Sequence, residues 1–374
     1  MGQHLNVAIA AGGTAGHINP ALALAEELRE RGHQVSFYGQ EAKLEGRLVP
    51  EAGFELVPMQ VSGFDRDRPW TGVTALVKEA AAKRAISARF KAQGAPDVAI
   101  GFGAYVETPL LGACVSAGVP TMIHEQNSVP GLANKMAAKR VARACVALPA
   151  AVPVFEGLVR PGVAVTVTGN PVRTAVLAGS RERGRALLGV PADAELLVVF
   201  GGSLGARHVN EAVAALKDAL LRRENLYVVH STGADLYDET LELLKLSDTE
   251  KQRWQLRPYI DAMGDVLAAA DLVLSRAGAS SIAEISALAV PSVLVPYPHA
   301  RGDHQTANAN SLVEPGAALL VTDASLDEGA LEEALLPLVD SPQRRAQMRA
   351  AAQGLGSAQA SQRLADELEQ VARG

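Results

Sequence analysis

Ala10-Ala11-Gly12-Gly13-Thr14-Ala15-Gly16-His17-Ile18-Asn19-Pro20 and Val199-Phe200-Gly201-Gly202-Ser203-Leu204-Gly205-Ala206 share one plan: an apolar run, a glycine loop, then an Ala- and Leu-rich helical stretch. In the first, Asn19 suits a helix N-cap and Pro20 the first helical position, where a missing N–H costs nothing. Ala21–Arg31 then carries the helix and Gly32 ends it. This places His17 in the loop, near the positive end of the helix. Further apolar runs stand at Leu5–Ala11, Gln34–Tyr38, Val98–Gly101 and Thr121–His124, and again at Leu196–Phe200, Tyr227–His230, Leu272–Ser275 and Ser292–Pro296. Continuous apolar runs joined by helical patterns predict parallel sheets covered on both faces. The chain therefore reads as α/β, with two doubly wound domains whose ligands bind at the carboxyl edges of the strands.

Gly169-Asn170-Pro171-Val172-Arg173 punctuates the chain before a new helical pattern, so the boundary is placed there. The domains expected are 1–168 and 169–356. Residues 357–374 add a closing helix that is read as returning to the N-terminal domain, although no residue in it selects a partner. With 48% apolar residues among 374, both cores are easily filled; with 4% aromatics they must be built from Ala, Val and Leu. A net charge of −6 argues against a surface that is basic throughout, and hence against a nucleic-acid binder. Cys114 and Cys145 have no metal-ligand spacing, and Cys114 lies in an apolar stretch, so a reduced core thiol is expected there. No leader-like segment opens the chain, and the apolar stretch Ala99–Ile123 is broken by Glu107, Pro109 and Pro120. The expected location is the cytoplasm, with any membrane contact peripheral.

Three loops carry candidate chemistry. The first glycine loop misses the G-x-G-x-x-G spacing of a dinucleotide site, which leaves a tight turn or an anion site. The second, with Ser203 adding a hydroxyl, presents free N–H groups at a helix start, where a pyrophosphate is favoured; it is not a P-loop. Ser275-Arg276-Ala277-Gly278-Ala279-Ser280-Ser281-Ile282-Ala283-Glu284 is again strand, small-residue loop and helix. Glu284 could accept both hydroxyls of a ribose, or could close a capping box onto Ser281; local sequence leaves both open. In the loop Pro296–Gln305, His304 and Gln305 are suited to sugar hydroxyls. The set His299, Asp303 and His304 has no recognised metal spacing, so no metal is expected.

Taken together, these blocks resemble the MurG-like glycosyltransferases over nearly the whole chain. The matching residues are Gly12–Pro20, Gly101-Phe102-Gly103-Ala104-Tyr105, His124-Glu125-Gln126-Asn127 with Gly131 and Asn134-Lys135, Gly169–Arg173, Gly201–Ala206, Ser275–Glu284, and His304-Gln305 with Asn308-Ala309. The resemblance implies a GT-B fold, two Rossmann-like domains facing a cleft. It implies UDP-N-acetylglucosamine (UDP-GlcNAc) as donor on the C-terminal domain and no cofactor. Uracil would lie against Ile260, ribose on Glu284, and pyrophosphate on Ser203 with Ala279, Ser280, Ser281 and Ile282. His304 and Gln305 would face the sugar, and Arg173 would line the nucleotide site. Thr14, Ala15, Gly16 and Asn127 would complete it from the other domain. The acceptor implied is undecaprenyl-pyrophosphoryl-MurNAc-pentapeptide (lipid I), on Gly13, Gly103, Tyr105 and Asn134. The family carries glycine where this chain has Ala15 and Ala104, so a positive φ is harder to reach at both places.

The implied reaction is inverting: the muramyl C4 hydroxyl displaces UDP from the anomeric carbon. His17 is the leading general base, with Glu125 in reserve. Pro69–Gln93 interleaves Trp70, Val73, Leu76, Val77, Ile86 and Phe90 with Lys78, Lys83, Arg84, Arg89 and Lys91. Lys135, Lys139, Arg140 and Arg143 add charge. The pattern fits a helix on an anionic membrane, or an ordinary amphipathic helix with a solvated basic face. Two rival functions remain: a UDP-GlcNAc 2-epimerase on the same fold, and a non-catalytic nucleotide-sugar-binding subunit.

Overall fold

Strand β1 (Asn6–Ala10) shows how the first core is built, because its side chains alternate between two apolar layers. Val7 and Ile9 pack with Leu24, Leu28 and Phe37 on one face. Ala8 and Ala10 pack with Leu110, Ile123 and Ala144 on the other. The chain is described by a computed structural model covering residues 4–62, 71–202, 205–356 and 358–374. It divides into two units, Met1–Arg173 together with Ala358–Gly374, and Thr174–Ser357.

In the first unit, β1 is joined by β2 (Gln34–Gly39), β3 (Glu55–Pro58), β4 (Val98–Gly101), β5 (Thr121–Glu125), β6 (Arg143–Val146) and β7 (Ala164–Val167). All pair in parallel, in the order β3-β2-β1-β4-β5-β6-β7. The second unit contains β8 (Glu195–Phe200), β9 (Leu226–Ser231), β10 (Trp254–Arg257), β11 (Leu272–Ser275), β12 (Ser292–Leu294) and β13 (Ala318–Leu320). Its parallel order is β10-β9-β8-β11-β12-β13. Here β8 repeats the logic of β1. Leu197 and Val199 enter one apolar cluster, and Leu196, Val198 and Phe200 the other. Two doubly wound parallel sheets are thus present, as the apolar runs require. Strands β3, β6, β7, β10 and β13 escape the sequence reading because they are short and, except for the three-residue apolar β13, mixed in polarity; β7 is at most half-buried.

The first helix corrects the sequence reading. It runs Ala15–Glu30, with Thr14 as an extended N-cap (φ −141°, ψ 156°) and Pro20 inside it. Gly13, at φ +83°, turns the chain out of β1 fast enough for the helix to begin four residues before Asn19. Thr14 C=O then accepts from both His17 N–H (3.1 Å) and Ile18 N–H (3.2 Å). His17 therefore sits in the first helical turn rather than in the loop.

The helix Ala360–Arg373 packs on the first unit, burying Leu364, Ala365 and Leu368 in the cluster that holds Leu24 and Leu28. Its polar face is tied down as well. Arg31 reaches Asp366 (2.6 Å) and Glu369 (3.0 Å), and Arg363 donates to Thr168 C=O (2.8 Å). Both cysteines are buried free thiols, pushed up to about 12 by burial.

Candidate functional site

Each sheet has one point where the strand order reverses, and in open α/β sheets ligands bind outside the carboxyl ends of the strands there. In the first unit it lies between β1 and β4, and in the second between β8 and β11. The glycine loops singled out from the sequence are the loops that leave these four strands.

In the first unit the loops after β1, β4 and β5 are each held from beneath by a buried carboxylate. Glu45 accepts from Gly13 N–H (3.3 Å) and Gln40 N–H (3.2 Å). Glu107 accepts from Gly103 N–H at 2.6 Å. Glu125 accepts from four donors: Asn127 N–H (3.0 Å), Asn127 Nδ2 (3.3 Å), Gly131 N–H (2.9 Å) and Asn134 Nδ2 (3.0 Å). Glu107 is 1% exposed, and burial pushes it up to about 8, so it holds its proton at neutral pH. Its Oε1 is buried without a partner among the described residues. These props were invisible as a set; the only signal was a carboxylate standing in the most apolar stretch.

His17 stands over this frame. Its Nδ1 lies 3.1 Å from Thr14 Oγ1. Its Cδ2–Nε2 edge faces Gly103, where a β-carbon would sit 3.5 Å from Nε2 and 3.3 Å from Asn134 Nδ2. His17, Gly103 and Asn134 are thus brought together. Glu125, with its carboxylate ringed by donors, clamps the 127–134 segment. Two expected pyrophosphate donors, the N–H groups of Gly13 and Gly103, are already bonded to carboxylates. Those of Ala15 and Gly16 open the helix, where no intrahelical acceptor exists. The Tyr105 hydroxyl donates to Gln40 Oε1 (2.7 Å). Ala104 does reach the left-handed region, at φ +61°. His124, buried and pushed down to about 4 by desolvation, is neutral. It donates from Nε2 to Gly169 C=O (3.0 Å) and accepts at Nδ1 from Gln126 (3.2 Å). Arg173 is engaged by Glu26 at 2.6 Å, inside this unit.

In the second unit, Ser203 lies outside the described residues. The loop around it ends at Gly205 (φ +77°), where a β-carbon would lie 1.9 Å from Thr232 C=O, so only glycine fits. The loop after β11 leads into the helix Ala279–Ala287, capped at Gly278. Ser281 is therefore the third helical residue and not an N-cap, which removes the capping-box reading of Glu284. Ala279, Ser280 and Ser281 present the first N–H groups of this helix. Ile282 N–H is already bonded to Gly278 C=O (2.9 Å) and is not among these first N–H groups. Ser280 Oγ is buried with no partner among the described residues. The Glu284 carboxylate is half-buried, makes no hydrogen bond or ion pair among them, and is pushed up to about 7 by desolvation. Ile260 sits in the bend after β10, its side chain in the cluster with Phe200 and Ile282.

Gln305 is differently employed from expectation. Its Oε1 accepts from Ala277 N–H (3.2 Å) and Tyr297 N–H (2.9 Å), stapling the loops after β11 and β12; its amide N–H groups are what it can offer a ligand. Asn308 Nδ2 adds a bond to Ala277 C=O (3.3 Å). His304 opens the helix His304–Val313 behind a left-handed Asp303. No group of three His, Cys, Asp or Glu among the described residues is placed to hold a metal ion.

The helix Thr71–Gln93 buries Ala82, Ile86 and Phe90, so the last two are core residues and not part of a membrane face. Leu76 (67% exposed) and Val77 (64%) stand free at its other end. Pro69 and Trp70 lie outside the described residues. Arg89 pairs with Glu55 and Arg143 with Glu367, which removes both from the basic stripe. Leu132 and Met136 are exposed beside Lys135, Lys139 and Arg140. Among the described residues no helix is long and apolar enough to cross a membrane.

Known proteins resemble the chain from end to end. Residues 7–146 match the profile of the glycosyltransferase family 28 N-terminal domain, and residues 196–366 that of its C-terminal domain. A UDP-N-acetylglucosamine–N-acetylmuramyl-(pentapeptide) pyrophosphoryl-undecaprenol N-acetylglucosamine transferase of Halothermothrix orenii is 37% identical over 97% of this chain and 98% of its own length. The Desulforudis audaxviator protein of the same name is 38% identical, over 98% and 99%. The crystal structure of Acinetobacter baumannii MurG superposes with a TM-score of 0.74 at 28% identity, covering 98% of this chain and 99% of that one. A UDP-GlcNAc 2-epimerase from Neisseria meningitidis shares the fold (TM-score 0.69, 98% and 100% covered) at only 11% identity.

Proposed function

The chain belongs to glycosyltransferase family 28, among its MurG-type N-acetylglucosaminyltransferases, and from that premise we propose how its two units divide the work. It is an enzyme of GT-B fold that transfers GlcNAc from UDP-GlcNAc to lipid I in peptidoglycan biosynthesis. The second unit holds the donor. What supports this is the pair of groups on one helix at the switch point, Ser280 and Glu284, that have no partner among the described residues. Ser280 Oγ and the first N–H groups of Ala279–Ala287 receive pyrophosphate, where the helix dipole favours negative charge. Glu284 accepts the ribose hydroxyls, Ile260 backbone meets the uracil, and His304 with the Gln305 amide meets the sugar.

The first unit holds the acceptor, and His17 Nε2 takes the proton of the attacking C4 hydroxyl. The hydroxyl oxygen bonds to the anomeric carbon as the bond to UDP breaks, inverting that carbon, and the electron pair leaves on the pyrophosphate. No step needs a metal. Gly103 and Asn134 flank His17 on the acceptor side. Leu76 and Val77, with the Lys135–Arg140 run, bring the first unit to the cytoplasmic face of an anionic membrane, where the undecaprenyl chain is anchored.

Transfer of radiolabelled GlcNAc to a short-chain lipid I analogue, with UDP release followed in parallel, tests the reading. His17→Ala is expected to lower kcat by about 10²- to 10⁴-fold. Glu284→Gln is expected to raise the donor KM by about 10-fold, the loss of a charge-assisted hydrogen bond. Near-normal turnover in His17→Ala would refute the base. UDP release independent of acceptor would favour the epimerase reading instead.

A further inference from the structure

His208 follows the second glycine loop, at the start of the helix Arg207–Ala215. Its Nδ1 lies 2.8 Å from Asp323 Oδ1 and its Nε2 3.1 Å from Asp327 Oδ1, both on the turn Asp323–Glu328 after β13. A carboxylate can only accept, so both ring nitrogens must carry protons for both bonds to form, and the ring that fits this geometry is the imidazolium. Asp323 is itself shared. Its Oδ2 pairs with Arg276 Nη1 at 2.5 Å. Arg276 is buried and donates to Val295 C=O (3.2 Å) and Pro296 C=O (3.0 Å). Immediately after Arg276 come Ala277, stapled by Gln305, and Gly278, the cap of the helix bearing Ser280 and Glu284.

We propose that His208 is a proton-dependent positioning residue for the donor site: as imidazolium it latches the helix after the second glycine loop to Asp323, and through Asp323 it fixes Arg276 and the turn that presents Ser280 and Glu284. The inference rests on the donor-site reading above. It extends that reading to a residue that touches no substrate. The charges acting on His208 are Asp323 and Asp327, with Arg276 behind Asp323. On the neighbouring helix Tyr237–Leu244, Glu239 is taken up by Arg207. The two aspartates raise the His208 pKa above its usual 6.5. The latch is thus fully present below that usual value and is lost as pH rises through the raised one.

The test is the KM for UDP-GlcNAc, whose diphosphate diester does not titrate in this range, from pH 6 to 9. Wild type is expected to show a rise of about 3-fold as His208 loses its proton. Glu284 titrates in the same window, in the opposite sense, so the reading is taken from differences between variants. His208→Arg, always charged, is expected to abolish the rise. Asp327→Asn removes only an 82% exposed carboxylate and cannot unfold the chain, and it is expected to move the rise down by about 0.5 pH unit. kcat at saturating donor should follow wild type in both. Identical pH profiles for wild type, His208→Arg and Asp327→Asn would overturn the latch. Should Glu284→Gln weaken the donor while these profiles coincide, the latch alone falls. A normal donor KM in Glu284→Gln would bring down the site reading itself.

Discussion

Glu107→Gln tests whether a buried acid holds its proton under the acceptor loop. In the folded chain Glu107 lies beneath Gly101 and Gly103 and is pushed from 4.5 up to about 8 by burial, with the Glu125 charge adding to the effect. Between these values the folded state keeps the proton and the unfolded state has lost it. The folded state then binds more protons, so stability falls as pH rises. The slope is about 1.4 kcal/mol per pH unit, or roughly 5 kcal/mol across the window from 4.5 to about 8. Glutamine preserves the acceptor for Gly103 N–H and cannot ionise. Its extra N–H groups add a cost, but one that does not vary with pH. Urea titrations read by pulsed hydrogen exchange on peptides from β4 and β5 isolate the first unit. Exchange in peptides from β9 and β10 of the second unit serves as a control that should not change. The stability of Glu107→Gln minus that of wild type should climb at about 1.4 kcal/mol per pH unit from pH 5 to 8, then level off. A difference independent of pH would mean that Glu107 is ionised in the folded chain, and the account of the loop would be wrong.

Ala104→Gly should raise stability of the first unit by about 1 kcal/mol in the same titration, since alanine at φ +61° is strained; an unchanged or lower midpoint would show that the strain is absent. Leu76→Asp with Val77→Asp should lower binding to anionic vesicles by about 10-fold. Because both side chains are exposed, Tm and transfer to a water-soluble acceptor analogue should be unaffected. Binding that survives the pair would place the membrane contact elsewhere.

Much of the architecture was legible because the central strands are written as continuous apolar runs. The edge strands were not, since β7 has no buried residue, β10 buries only Trp254 fully, and both carry mixed side chains. The glycine loops could be located from sequence, but what fills them could not. Glu107 and Glu125 bond N–H groups within nine residues of themselves, but without a recognised spacing, and Glu45 reaches Gly13 only once β1 and β2 are paired. The start of the first helix was misread because Asn19-Pro20 satisfies a local rule that the Gly13 turn overrides. Glu284 shows the reverse: its two readings were inseparable locally, and the cap at Gly278 removes the capping box. The links His208–Asp323 and Asp323–Arg276 span a long sequence separation and left no motif.

The helix Ala360–Arg373 has a consequence for biosynthesis. The first unit's apolar cluster includes Leu364 and Leu368, so it is incomplete while the ribosome is still producing the intervening residues. Thr174–Ser357 is one uninterrupted segment and can finish folding while its elder neighbour waits with Leu24 and Leu28 partly bare. The part of the chain made first is therefore the part completed last. A nascent chain arrested before residue 360 should engage chaperones through the first unit, not the second.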